Sequence, residues 1–216
     1  MQTNRVRVAA AVVLSGVLLA SGALATPPGA GQHFDCSDGG DSSCAADDEG
    51  CVPADSTGYK CGNLAGKIIS KAFKGAVSCH AKQAQMRFKG ASETGAGNSE
   101  ENCEGNPGKS VKSIFDAGVA KLSSLGCAAA PGVTAYGAAL FGTGPGSFDG
   151  DNGLVYCDSS SAALIGNDDS GWVPATPEIL KCELAVAKGL VKLQITTSKC
   201  HTRMAGYFLK GSPESL

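Results

Sequence analysis

Residues 60–90 and 181–211 of this 216-residue chain align with one another without a gap. Lys60, Cys61, Lys67, Lys71, Cys79, His80, Ala84, Lys89 and Gly90 each recur 121 positions later, so one unit of the chain is duplicated. Each copy carries two cysteines 18 residues apart, Cys61 with Cys79 and Cys182 with Cys200, and the second of each pair directly precedes a histidine, His80 or His201. Eighteen residues is five helical turns, so on a helix the two cysteines share a side about 27 Å apart and cannot bond to each other. Any disulfide they form must reach another element.

The periodicity of both copies is helical. Cys61, Leu64, Ala65, Ile68, Ile69, Ala72, Phe73, Ala76 and Val77 recur at steps of three and four, and Lys67, Lys71 and Lys74 fall mostly away from them. Cys182, Ala185, Val186, Leu190, Leu193, Met204, Ala205 and Phe208 repeat the pattern. Thr176 as cap, Pro177 in the first turn and Glu178 mark the start of this second helix. Its stretch from Gln194 to Lys199, with two threonines, predicts a bend or fraying. A polar loop is expected over Ala91–Glu104, and Asn106-Pro107 should open a return helix with Val111, Ile114, Phe115, Val119, Leu122 and Leu125 on its apolar side and Gly126 at its end. The second copy has no matching return helix before Leu216.

The expected fold class is therefore mainly α: a disulfide-linked helical hairpin plus a second copy of its first helix, with long Gly-rich irregular loops. In order, the chain reads as a signal peptide (1–25), an acidic Cys-containing flexible segment (26–58), the hairpin (59–127), a Gly-rich linker or small irregular subdomain (128–178) and the partial second repeat (179–216). The linker has nine glycines and the single tryptophan, Trp172, and short strands are expected at Val133–Leu140 and Leu154–Cys157.

Arg5 and Arg7, an apolar run from Val8 to Ala20, and Ala23-Leu24-Ala25 fit a secretory signal cleaved after Ala25. No later segment approaches the roughly 18 apolar residues of a membrane span. All 10 cysteines lie beyond this leader, in even number and without a C-x-x-C pair, which argues for disulfides in a periplasmic or extracellular protein rather than for a zinc site. Few aromatics and 30 glycines leave a thin core that crosslinks would reinforce. The hairpin suggests a ladder, Cys61 with Cys127 and Cys79 with Cys103. Antiparallel packing of the two repeats would instead allow Cys61 with Cys200 and Cys79 with Cys182. Under the ladder, Cys36, Cys44, Cys51, Cys157, Cys182 and Cys200 are left to pair among themselves, tying the N-terminal segment to the linker or the second helix.

The spacing "KC…K…K…CH", the helix "FDAGVAKLSSLGC" and the loop "NGLVYC" resemble a group of exported cysteine-rich proteins of deltaproteobacteria-like bacteria, over roughly residues 60 to 211. The resemblance implies export and a helical, disulfide-linked fold; it implies no activity and no catalytic residues.

The chemistry legible in the sequence is sparse. A net charge of -2 with no concentrated basic face speaks against a nucleic-acid partner, and the sequence points to no other partner. Covalent haem attachment is excluded because Ala76 and Thr197 stand where C-x-x-C-H requires cysteine. His80 and His201 could ligate a metal or a non-covalent haem if they met between helices. Asp149 and Asp151 open "DGDNG" like a calcium loop, but Gly153 and Ser160 occupy later ligand positions. No G-x-S-x-G occurs, and adjacent Cys79 and His80 diverge by about 100° on a helix, which leaves no legible catalytic site. The sequence thus reads as an exported structural or binding module, without cofactor or enzyme activity; the alternative is a metal- or haem-binding redox protein built on His80 and His201.

Overall fold

The computed structural model describes residues 53–95 and 97–210. The expected leader, the acidic segment as far as residue 52 with Cys36, Cys44 and Cys51, and the last six residues lie outside them. Six α-helices are present among the described residues: α1 (Ser56–Phe88), α2 (Ser99–Glu104), α3 (Val111–Ser124), α4 (Ala130–Leu140), α5 (Phe148–Asp151) and α6 (Pro177–Leu209). There is no strand among them, only an isolated bridge between Leu164 and Trp172. No helix among them is long and apolar enough to cross a membrane.

The helix α1 starts where the Asp55 side chain accepts hydrogen bonds from the amides of Thr57 and Gly58, both at 2.8 Å. That cap satisfies two of the donors a helix start leaves open. It ends before Gly90, whose φ of 85° turns the chain out of the helix. Helix α3 returns antiparallel to it, capped by Ser110, whose Oγ accepts from Ser113 N at 3.1 Å. The start lies at Val111 rather than at Asn106-Pro107, because Gly108, with φ of 104°, leaves the helical region and Ser110 then supplies the cap.

Two glycines let these helices approach: a Cβ on Gly75 or on Gly118 would lie 2.8 Å from Val111 or Ile68 side-chain atoms. The seam buries Ala65, Ile68, Ala72, Phe115 and Leu122. A fully buried leucine such as Leu122 contributes about 1.5–3 kcal/mol. Cys61–Cys127 closes one end of the hairpin, with Cα atoms 5.6 Å apart, and Cys79–Cys103 the other, at 5.7 Å. The ladder is therefore the pairing adopted, and the alternative linking the two repeats is not.

Three expectations are corrected. Val133–Leu140 lies in a helix, with Ala130, Val133, Gly137 and Leu140 buried at helical spacing; β-branched and glycine residues masked the period, and packing against Phe115 overrode propensity. Leu154–Cys157 is no strand but the end of a 3₁₀ turn and the loop after it. Part of the polar loop before Glu104 is helix α2, capped by Asn98.

Helix α6 runs without a break through Gln194–Lys199, its start marked as expected by Thr176 and Pro177. It lies antiparallel along α1, in the most extensive contact between any two helices described. Gly66 faces Ser198, and Gly206 faces Tyr59. Among the described residues Cys157, Cys182 and Cys200 are exposed and unbridged; Cys36, Cys44 and Cys51, the other members of the expected set, lie outside the described residues.

Candidate metal centre

Helix α1 turns Cys79 and His80 into the protein together, with His80 only 3% exposed. Cys79 holds Cys103 of α2, and the residues next in sequence to these half-cystines, His80 and Glu104, face each other with Nε2 3.4 Å from Oε1. Glu100 precedes Glu104 by one helical turn and so points the same way, 3.9 Å from the same nitrogen. Helix α5 adds Asp149, 3.7 Å from Nε2. His80, Glu100, Glu104 and Asp149 each present a ligand atom, and these atoms all lie within 4.8 Å of one another.

The other ring nitrogen meets a different group. Asp169 Oδ1 lies 3.0 Å from Nδ1, and Gln83 Nε2, three residues along α1 from His80, donates to Asp169 Oδ2 at 2.9 Å. The loop carrying Asp169 is fastened to α5: Ser170 N donates to Asp149 O at 2.8 Å, and Ser170 Oγ to Gly150 O at 2.7 Å. Gly166 makes the approach feasible, since a Cβ there would collide with the Asp169 carboxylate. On the far side, the imidazole borders a small cavity, about 50 Å³, walled mainly by apolar side chains such as Phe73, Val77 and Phe148.

The electrostatics are unbalanced. Four carboxylates surround one imidazole, and among the described residues no lysine or arginine lies within ion-pair distance of any of them. Both His80 nitrogens, Glu100 Oε1, Glu104 Oε1 and Asp169 Oδ1 are buried without a hydrogen bond of adequate geometry. Burial alone would lower the His80 pKa, but the Asp169 and Glu104 carboxylates pressed against its two nitrogens outweigh it and push the value up to about 10. Burial, with the neighbouring acids adding to it, pushes Glu100 up to about 8 and Asp149 to about 7. Beside them the neighbouring Asp168 carboxylate, with burial adding to it, pushes Glu101 up to about 7.

Of the sequence candidates, His80 and Asp149 come together. Asp151 lines the cavity but does not join the ligand group. His201 is exposed on α6, and the antiparallel register puts it about 25 Å along α1 from His80, so the two histidines do not meet. A haem held between them is thereby ruled out. Glu100, Glu104 and Asp169 were missed; the legible signal was a Glu-x-x-x-Glu spacing with Cys103 beside the second glutamate.

Comparison with known proteins finds no matching family, no similar curated protein and no similar solved structure.

Proposed function

We propose that this protein is an exported, disulfide-braced helical module that binds one divalent transition-metal ion through His80, Glu100, Glu104 and Asp149. The observation that carries the reading is the buried cluster of one imidazole and several carboxylates, with His80 Nε2 and oxygens of Glu100 and Glu104 unpartnered and, among the described residues, no neighbouring lysine or arginine. Carboxylates buried without compensation are costly, and a doubly charged cation offsets both their charge and their missing contacts. Ligands about 2.1 Å from a metal stand roughly 3.0–4.2 Å apart, close to the spacing present.

One nitrogen and three oxygen donors suit Zn²⁺, Mn²⁺ or Fe²⁺ better than soft Cu⁺ or an all-oxygen calcium site. Asp169 supports the role by holding Nδ1–H, which leaves the Nε2 lone pair for the ion. Binding requires His80 neutral and the carboxyls ionised, so it releases protons and strengthens as pH rises. The sequence resemblance to exported cysteine-rich proteins agrees with the compartment.

Calorimetric titration of the purified, metal-stripped protein with Zn²⁺ and Mn²⁺ tests the reading, together with the visible spectrum of the Co²⁺ form. One equivalent should bind, with affinity falling more than about a hundredfold in His80→Ala and in Glu104→Gln. Sub-stoichiometric binding, or binding unchanged in both variants while circular dichroism shows them folded, would overturn it.

A further inference from the structure

Helix α6 is apolar on two sides. Its inner side meets α1, as Ser198 against Gly66 shows. On the side turned away, Val186 and Leu193 are each 46% exposed, Cys182 and Cys200 are exposed free thiols, and Gly189 has open space above it. Val186, Leu193 and Cys200 are spaced by seven residues, and so are Cys182, Gly189 and Thr196. A stripe that repeats every seven residues is the seam along which one helix packs on another. Its symmetry names the occupant. Turned antiparallel about the level of Val191, the stripe matches itself: Cys182 lies opposite Cys200, Val186 opposite Thr196 and Gly189 opposite Leu193 of the second helix.

We infer that the outer face of α6 is an isologous interface with a second copy of this chain, sealed by two symmetric Cys182–Cys200 disulfides. In a two-fold pair, residue i meets j and j meets i, so one self-complementary stripe yields two identical bonds. Gly189 receives the Leu193 side chain and permits the close approach a disulfide requires. Lys188 and Lys192 run along one edge of the stripe and repel their counterparts weakly, which leaves the covalent bonds as the main lock. Each bond forms by exchange with a disulfide donor of the oxidising compartment: two thiols lose two protons and two electrons, and the donor's S–S bond is reduced to two thiols. The inference is independent of the metal centre, whose residues α6 does not supply.

The full-length chain, exported from an oxidising host, is run on a non-reducing gel and mapped by mass spectrometry without reduction. A reducible dimer should appear with a Cys182–Cys200 peptide, which must join two chains because a single helix holds these residues about 27 Å apart. Cys182→Ser and Cys200→Ser should each be monomeric under denaturing, non-reducing conditions, and mixing the two should restore a singly bonded dimer. Leu193→Glu should lower the crosslinked fraction about tenfold. Reducible dimers in either cysteine variant alone would overturn the inference, as would Cys182 and Cys200 mapped to Cys36, Cys44, Cys51 or Cys157.

Discussion

Helices α1 and α6 carry the same two cysteines and histidine at the same spacing and have the same length, yet they bury different things. Helix α1 encloses Cys79, His80 and Gln83, whereas the equivalent Cys200 and His201 on α6 are exposed. The cause is the chain downstream of α1. There it folds back through α2, and the Cys79–Cys103 bond sets Glu100 and Glu104 against His80. Cys200 and His201 instead lie exposed on α6. A histidine next to a cysteine on a long helix becomes a site only when other segments supply the charges it faces.

Removing the bridges should break this contrast most strongly. In the chain-entropy account, loss of Cys61–Cys127, which closes the longer loop, costs about 4 kcal/mol, and loss of Cys79–Cys103 about 3.5 kcal/mol. Chemical denaturation of the paired Cys→Ala variants measures both. Only the second should also weaken metal binding, because it alone fixes α2 beside His80. Equal loss of affinity in both would mean that general stability, rather than the placement of α2, makes the site.

Next in size is Asp169→Asn, which keeps the shape of the side chain and its contact with Gln83 but removes the charge facing Nδ1. Metal affinity should drop about 10- to 100-fold, as expected when a carboxylate behind a ligating histidine is neutralised. His201→Ala should leave it within about twofold. Titration of both variants under one set of conditions is the most direct test of the division between the repeats.

How much of this was legible depends on where each signal resides. The long helices, their caps at Thr176 and Gly126 and the hairpin bonds come from local spacing and chain connectivity, which a sequence displays. Helix α4 was hidden because Gly132, Val133, Thr134 and Gly137 disfavour a helix, which exists because Phe115 and Cys127 pack against it. His80 and Asp149 stood out as residue types. Their meeting with Glu100 and Asp169 depends on a six-residue helix and a loop held by Ser170, and no periodicity announces either.

The remaining contrasts are smaller. Glu183 is the buried acid of α6, and burial pushes its pKa up to about 7 despite the nearby amides of Asp158 and Cys157. A carboxyl with a raised folded-state pKa stabilises the fold while protonated in both states, below about 4.5, and that contribution is lost as pH rises through about 7. Melting temperature should therefore decline between those pH values, and Glu183→Gln should flatten the decline by about 2–4 °C. A decline unchanged in the variant would assign it to the acids around His80 instead.

The smallest effect probes the seam between the repeats. Gly62 and Gly66 lie one turn apart inside α1, so alanine gains the same helix propensity at each, about 0.8–1 kcal/mol. Their surroundings differ. A Cβ at Gly62 meets nothing within 4 Å, whereas at Gly66 it lies 3.2 Å from Ser198 Oγ on α6. Gly62→Ala should raise the melting temperature by about 2–3 °C, and Gly66→Ala by clearly less, because the serine must shift to admit the methyl group. Equal gains would mean that α1 and α6 do not press together at this level, and the antiparallel register that separates His80 from His201 would lose its support.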